Sequence, residues 1–354
     1  MTFQKLEVIE IIKETEDCVS VSFQIPANLR ADFDYIPGQY LVLESSINNE
    51  LVRRSYSLCS APHQDKWTVA IKKVEKGKFS TWANNDLKVG DHISVMPPSG
   101  SFVLNANKSN NKNYVAFVAG SGITPVISMV KSVMHNEPNS SFVLFYGNKT
   151  SDSIIFDNEL EMLLKEYGDR LSVYSILSQE NTSNPDFNGR IDKSKTKIFG
   201  TKIYKPNDID SYFLCGPSQM IFDVKDELIS QGVNVDKIHF ELFNTDDIKP
   251  KEATKDDQNI LSIVTVILDD EEFNIPLSSD GFNILDAALD EGADLPYACK
   301  GGVCSTCKAK VTEGKVKMDL NYSLDPDEVE NGFILTCQSH PQSAKVVVNF
   351  DEAY

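Results

Sequence analysis

Four cysteines in this chain are spaced for metal chemistry. Cys299, Cys304 and Cys307 form a C-x4-C-x2-C run within Leu295-Pro-Tyr-Ala-Cys-Lys-Gly-Gly-Val-Cys-Ser-Thr-Cys307, and Cys337 follows after 29 intervening residues. This is the plant-type spacing for a [2Fe–2S] cluster. Two sulfide-bridged irons still need two thiolates each, and a tight loop must deliver three of them. Gly301 and Gly302 suit that loop, because residues without a Cβ accept left-handed angles and let the backbone approach the sulfurs. A structural zinc site would pair its cysteines two to four residues apart in two knuckles; the run contains one such pair.

A one-electron centre needs a supplier, and three upstream stretches carry suitable groups. Arg53-Arg54-Ser55-Tyr56-Ser57 offers a guanidinium, an aromatic ring and a hydroxyl in sequence. Gly77-Lys78-Phe79-Ser80-Thr81-Trp82 reads as a glycine turn entering a short helix, whose free N–H groups favour a phosphate. Gly120-Ser-Gly-Ile-Thr-Pro125 joins an apolar strand, Tyr114–Ala119, to an apolar helix, the general dinucleotide arrangement. It lacks the third glycine of the standard fingerprint. Cys215-Gly216-Pro217 ends a later strand. Lys149 follows Gly147-Asn148, and Thr150 and Ser151 follow it. No acid stands immediately after Gly147 to bind a ribose 2′-hydroxyl, whereas a cation suits a 2′-phosphate. NADPH is therefore expected over NADH, with Arg190 a second basic candidate.

The elements that must position these groups fall into three blocks. A chain of 354 residues predicts two or three domains, each able to bury a core. Short alternating stretches at 5–12, 18–25, 40–43, 67–74 and 92–96 predict an antiparallel β-barrel over residues 1–107. Strands and helices then alternate over 108–244, which predicts an α/β domain with an open parallel sheet and its ligand beyond the strand C-termini. Residues 245–260 are almost wholly polar and read as a linker, enough to let the last module move. Residues 261–354 predict a small mixed sheet around one helix, an α+β domain. The multi-domain fold thus combines a barrel, a parallel-sheet domain and a compact cysteine-bearing domain.

Charge and cysteine usage limit the partners and the compartment. A net charge of −18 argues against nucleic acid, whose phosphates would repel it. Residues 261–354 hold six Lys and no Arg against 17 Asp and Glu, so this last quarter carries −11 of that charge. Solubility accounts for much of the excess; the alternative reading is steering onto a basic partner surface. Cys18, Cys59 and Cys215 show no pairing pattern. Free thiols, no signal-peptide pattern and no apolar run of membrane length lead to a cytoplasmic expectation.

In this order the pieces resemble the ferredoxin–NADP reductase superfamily, with a plant-type ferredoxin domain of the β-grasp type at the C-terminus. The resemblance implies FAD on the barrel. Arg54 would pair with its pyrophosphate, Tyr56 pack on its ring, and Ser57 bond near its reactive nitrogen. Gly77, Phe79 and Ser80 would line the diphosphate, and Lys72, on the preceding strand, joins the cofactor-binding set. Gly120, Gly122, Thr124 and Pro125 would approach the coenzyme, with Lys149 at its far end. Cys215 and Gly216 would lie where nicotinamide meets flavin, making Tyr56, Ser57 and Cys215 the catalytic candidates. Glu241 and Phe243 would reach the flavin, although an edge strand of the core explains them too. Family precedent puts Cys299 and Cys304 on one iron, Cys307 and Cys337 on the other.

The stretches Met318-Asp-Leu-Asn-Tyr-Ser323, Thr336-Cys-Gln-Ser-His340 and Val346-Val-Val-Asn-Phe350 narrow the resemblance to the reductases that serve phenylacetyl-CoA epoxidases. What this implies is an NAD(P)H-dependent reductase passing single electrons through FAD and [2Fe–2S] to an oxygenase, a di-iron monooxygenase docking on the acidic ferredoxin domain. A plant-type cluster, near about −400 mV, is reducing enough for that task. The same layout serves other oxygenases, desaturases and hybrid-cluster proteins. A redox sensor or carrier with little turnover is the rival class.

Overall fold

A computed structural model describes residues 3–243, 260–269 and 271–353. It divides into two compact units, Met1–Phe243 and Asn244–Tyr354. Apart from Ile260, the expected linker lies outside the described residues.

The first unit opens with six antiparallel strands: β1 (Gln4–Thr15), β2 (Cys18–Gln24), β3 (Tyr40–Ile47), β4 (Glu50–Ser57), β5 (Trp67–Lys72) and β6 (His92–Val95). Their order is β4-β3-β6-β1-β2-β5. Alternation places the faces: Leu6 and Val8 are buried while Lys5, Glu7 and Ile9 point outward. The two ends of the order meet where Leu58 bridges Val69 and the Cys59 N–H donates to the Thr68 carbonyl at 2.8 Å. The sheet therefore curls into a barrel. Strand β4 was legible only as a motif. The signal for its hairpin is Asn48-Asn49, both at positive φ (53° and 63°), as a two-residue type I′ turn requires. Helix α1 (Lys78–Asn85) buries Phe79 and Ala83 against the barrel core.

Five parallel strands follow: β7 (Asn113–Ala119), β8 (Ser141–Asn148), β9 (Leu171–Leu177), β10 (Ser211–Gly216) and β11 (Ile238–Leu242). The order is β11-β10-β7-β8-β9, interleaved with α2 (Ile123–Asn136), α3 (Asp157–Tyr167), α4 (Lys193–Lys202) and α5 (Ser218–Ser230). Strand order reverses between β7 and β10, the switch point where open α/β sheets bind ligands. The glycine turns at Gly120–Gly122 and Gly216 lie there.

Helix α2 stitches this sheet to the barrel. The Ser128 hydroxyl donates to the Ser60 carbonyl at 2.5 Å, and the Lys131 ammonium donates to the Cys59 carbonyl at 2.8 Å. Lys131 is buried and also pairs with Glu159 at 2.7 Å. A buried cation without its partners costs about 3–5 kcal/mol, so this seam resists sliding. Gly38 permits the close approach: a Cβ there would stand 2.0 Å from the Phe102 carbonyl oxygen and 2.6 Å from Met129 Cε of α2.

The second unit contains β12 (Leu261–Leu268), β13 (Glu271–Ser278), β14 (Lys308–Glu313), β15 (Val316–Met318), β16 (Phe333–Leu335), β17 (Ser339–Pro341) and β18 (Lys345–Asn349). Its main sheet runs β13-β12-β18-β14-β16, and only β12 and β18 pair in parallel. Helix α6 (Ile284–Asp290), capped by the Asn283 side chain, packs Ile284, Leu285 and Ala288 into the sheet core. This is a β-grasp arrangement. Strands β15 and β17 form a separate ribbon that periodicity did not foreshadow.

Candidate functional site

The barrel motif sorts its two arginines. Arg53 is buried and pairs with Glu44 at 2.6 Å. Arg54 is exposed, and its guanidinium donates to the Arg53 carbonyl at 2.6 Å. Tyr56 leans on Phe79 with ring centroids 5.6 Å apart, and Phe79 meets Trp82 edge-on at 5.4 Å. Gly77 caps α1, and no side chain caps the first N–H groups of that helix. A Cβ on Gly77 would stand 2.4 Å from the Ser80 hydroxyl and 2.5 Å from Val74 Cγ2. The Ser80 hydroxyl already accepts from the Val74 N–H at 3.2 Å, so it builds the turn and leaves the helix N–H groups for a ligand. An uncapped helix start, an exposed guanidinium and a stack of rings fit a dinucleotide flavin. Lys72 is half-buried and pairs with Asp17 at 3.5 Å, a structural use for the residue expected at the cofactor.

At the sheet's switch point, Gly122 sits against β10 so closely that a Cβ would lie 2.1 Å from the Cys215 carbonyl oxygen. Gly120 has φ +55° and Gly216 φ +158°. The Thr124 hydroxyl donates to the Ser121 carbonyl at 3.0 Å, and Thr124 and Pro125 are buried in the first turn of α2. This shape admits a coenzyme's pyrophosphate to the backbone N–H groups at the helix start. Lys149 is exposed just past β8, and Arg190 is exposed beyond the Leu177–Asn188 bridge at the end of β9. Both basic candidates thus flank the same sheet edge.

Ser57, Cys215 and Glu241 converge between barrel and sheet, although sequence placed them in separate motifs. Cys215 and Glu241 are register partners on β10 and β11. Ser57 hydrogen-bonds the Glu241 carboxyl, and burial nevertheless pushes that carboxyl up to about 8. Its Oε2 is buried with no hydrogen-bond partner among the described residues. Burial, reinforced by Glu241, also pushes the Cys215 thiol well up, so it stays neutral. Phe243 is exposed at the end of this segment.

Glu241 sets a pH prediction. Below about 8 its carboxyl keeps a proton; above that it ionises and places a negative charge beside Ser57 and Cys215. The kcat/KM for the nicotinamide coenzyme is therefore expected to fall as pH rises through about 8, and Glu241→Gln to flatten that step. A step of unchanged position in Glu241→Gln would assign it to another group.

The four cysteines of the second unit stand as two hydrogen-bonded pairs. Cys304 donates to Cys299, which lowers Cys299 and raises Cys304. Cys307 likewise donates to Cys337, lowering Cys337 and raising Cys307. Among the described residues no three His, Cys, Asp or Glu converge on one point. Two pairs are compatible with a binuclear centre that takes two thiolates per iron. Donors already face the sulfurs: Gly301 N–H to Cys299 Sγ at 3.3 Å and the Thr306 hydroxyl to Cys304 Sγ at 3.2 Å. The loop's left-handed positions are Lys300 (φ 52°), Gly302 (φ 74°) and Ser305 (φ 53°). Gly301 is not among them, contrary to the sequence expectation for that residue. Gly302 is held tightly, since a Cβ there would stand 3.1 Å from the Leu320 carbonyl oxygen of the segment lying across the loop.

Comparison with known proteins agrees with this division of labour. Residues 5–104 match the oxidoreductase FAD-binding domain, 117–226 the oxidoreductase NAD-binding domain, and 266–342 the 2Fe-2S iron-sulfur cluster binding domain. A component of the 1,2-phenylacetyl-CoA epoxidase of Escherichia coli K12 is 41% identical over 99% of this chain and 98% of its own length. The 3-ketosteroid-9-alpha-monooxygenase, ferredoxin reductase component, of Rhodococcus rhodochrous is 33% identical over 98% and 96%. Among solved structures, phthalate dioxygenase reductase is 23% identical with a TM-score of 0.58, covering 98% of each chain. An intact type IV self-sufficient cytochrome P450 monooxygenase reaches a TM-score of 0.70 at 22% identity, this chain spanning 41% of it. At these identities the structural likeness is one of fold. No helix among the described residues is long and apolar enough to cross a membrane.

Proposed function

The chain belongs to the family that holds this 1,2-phenylacetyl-CoA epoxidase component and the 3-ketosteroid-9-alpha-monooxygenase ferredoxin reductase components, and from that membership we propose that it carries electrons from NADPH to a di-iron monooxygenase, a phenylacetyl-CoA epoxidase. The electron-transfer reductase role is common to these relatives, and the chain is an oxidoreductase with FAD-binding, NAD-binding and 2Fe-2S domains. The finer reading concerns donor, acceptor and residues.

The observation that carries it is the meeting of Ser57 from the barrel with Cys215 and Glu241 from the parallel sheet. Flavin-side and coenzyme-side groups share one small volume, as transfer between two ligands requires. Arg54 and the start of α1 would hold the flavin's phosphates, and Tyr56 would cover its ring. Gly120, Gly122 and Gly216 would bring the coenzyme in, with Cys215 and Glu241 as a neutral, water-poor floor. When bound, FAD takes two electrons from the coenzyme and releases them one at a time, the only amount a [2Fe–2S] cluster accepts. Cys299, Cys304, Cys307 and Cys337 would hold that cluster. Cys299 is the most exposed of the four and marks the side from which an electron leaves.

The acceptor docks, in this reading, on the acidic second unit, whose residues 261–354 hold 17 acids against six Lys. Such docking is fast and salt-sensitive. The monooxygenase components among the relatives support an oxygenase rather than a desaturase as partner.

Turnover tests the reading. With excess NADPH, the protein loaded with FAD and cluster is expected to reduce cytochrome c continuously, and purified phenylacetyl-CoA epoxidase should draw NADPH oxidation in the presence of its substrate. A single round of reduction followed by arrest would make the protein a carrier or sensor. Continuous cytochrome c reduction with no response to the epoxidase would leave the reductase and discard the partner.

A further inference from the structure

Loop Lys149–Ser151 leaves β8 at the sheet edge where the far end of the coenzyme must lie, and it is laced to the end of β9. Strand pairing ends at Asn148 and Leu177. Beyond it the Ser178 N–H donates to the Asn148 carbonyl at 2.9 Å and the Gln179 N–H to the Lys149 carbonyl at 2.8 Å. The next link is a side chain. Glu180 Oε2 accepts from the Ser151 N–H at 3.0 Å, and Oε1 accepts from the Ser151 hydroxyl at 3.3 Å. Within the loop the Ser153 hydroxyl accepts from the Thr150 N–H at 3.1 Å and donates to the Thr150 carbonyl at 2.7 Å, closing a 3-10 turn over Ser151–Ser153. Lys149 is thus gripped through its own carbonyl and again two residues on. Its side chain is exposed, with no carboxylate partner among the described residues.

We propose that Glu180 is a positioning residue for the coenzyme: its carboxylate pins Ser151 so that Lys149 is presented to the 2′-phosphate of NADPH. The inference rests on the NADPH reading above and adds to it the group that makes Lys149 effective. A carboxylate near a phosphate-reading lysine could instead repel the phosphate. Two observations favour the pin. Both carboxylate oxygens are engaged by donors of Ser151, one of them the first N–H of the turn, a group that would otherwise itself attract an anion. And Glu180 is not paired with Lys149, so the cation is left for a ligand. The two roles predict opposite signs.

The test is equilibrium binding of 2′,5′-ADP and of 5′-AMP to the full chain by calorimetry, with flavin and cluster absorbance as the control for folding. The parent should favour 2′,5′-ADP. Glu180→Ala is expected to weaken 2′,5′-ADP about tenfold, the equivalent of one charge-assisted hydrogen bond, and to leave 5′-AMP nearly unchanged. Glu180→Gln, which keeps one acceptor, should fall between. Lys149→Ala should lose a similar factor, and the double variant should lose no more than Lys149→Ala alone, because the pin acts through the lysine. In turnover the same variants should raise KM for NADPH with kcat kept. Tighter 2′,5′-ADP binding in either Glu180 variant, or additive losses in the double, overturns the pin while leaving the NADPH reading intact. A parent that binds both nucleotides equally overturns both.

Discussion

Cys307→Ala is expected to yield a protein with no bound iron and no EPR signal after dithionite reduction, while NAD(P)H-driven reduction of ferricyanide persists. The thiol is buried and forms half of the Cys307–Cys337 pair, so on the proposed ligand assignment its loss would leave one iron with a single protein ligand. The loop itself should survive, because it is tied through the Cys307 carbonyl. That oxygen accepts from the Thr336 N–H at 3.1 Å and the Thr336 hydroxyl at 2.9 Å, and both bonds are indifferent to the side chain. Cytochrome c reduction should drop to the level the flavin supports alone. Because metal binding also contributes folding energy, the second unit should melt earlier than in the parent. Loss of flavin reduction together with the cluster would contradict the separation of the chain into units that work in series. Retention of parental iron would contradict the ligand assignment.

Gly122→Ala should have the next largest effect, at the other end of the path. The added methyl would sit 2.1 Å from the Cys215 carbonyl oxygen, 2.5 Å from its carbon and 2.9 Å from the Gly216 nitrogen. All three are backbone atoms of β10, so no side chain can swing aside. The turn must lift from the strand, carrying the start of α2 with it. A displacement of about 1 Å in such a site costs about a hundredfold in rate. The expected result is a fall of that order in kcat/KM for NAD(P)H. The cluster should remain, with its EPR signal after chemical reduction unchanged. Gly120→Ala makes the comparison: a Cβ there would meet nothing within 4 Å, yet φ is +55°, so its cost is conformational and smaller. Equal kinetics for Gly122→Ala and the parent would remove the close approach from the account.

Both predictions draw on parts of the molecule that were visible before any fold was known. The four cluster cysteines, the glycine turn at 120–122, the Cys215-Gly216 strand end and the Gly77 turn into α1 are local devices. Each must bring groups together within a few residues, so chemistry shows directly as spacing. Strand β4 and the β15–β17 ribbon were harder to see, since short strands with mixed faces have no firm period. Gly301 shows the limit even within a motif: the left-handed angles fall to Lys300, Gly302 and Ser305, because the path of the loop depends on the Leu320 segment lying across it.

Other features exist only in the folded chain. Barrel closure through Leu58 and Val69, the α2 seam of Ser128 and Lys131, and the Glu44 pair that buries Arg53 are of this kind. So are the Ser57–Glu241 contact beside a carboxyl raised to about 8 and the pin from Glu180 to Ser151. These depend on which strands become neighbours, and strand order is set by packing whole faces together rather than by local pattern. Residue order alone declares the kinds of chemistry present and their succession along the chain. Folding selects which distant side chains share a low-dielectric space, and burial there, not residue type, gives Glu241 its proton at neutral pH.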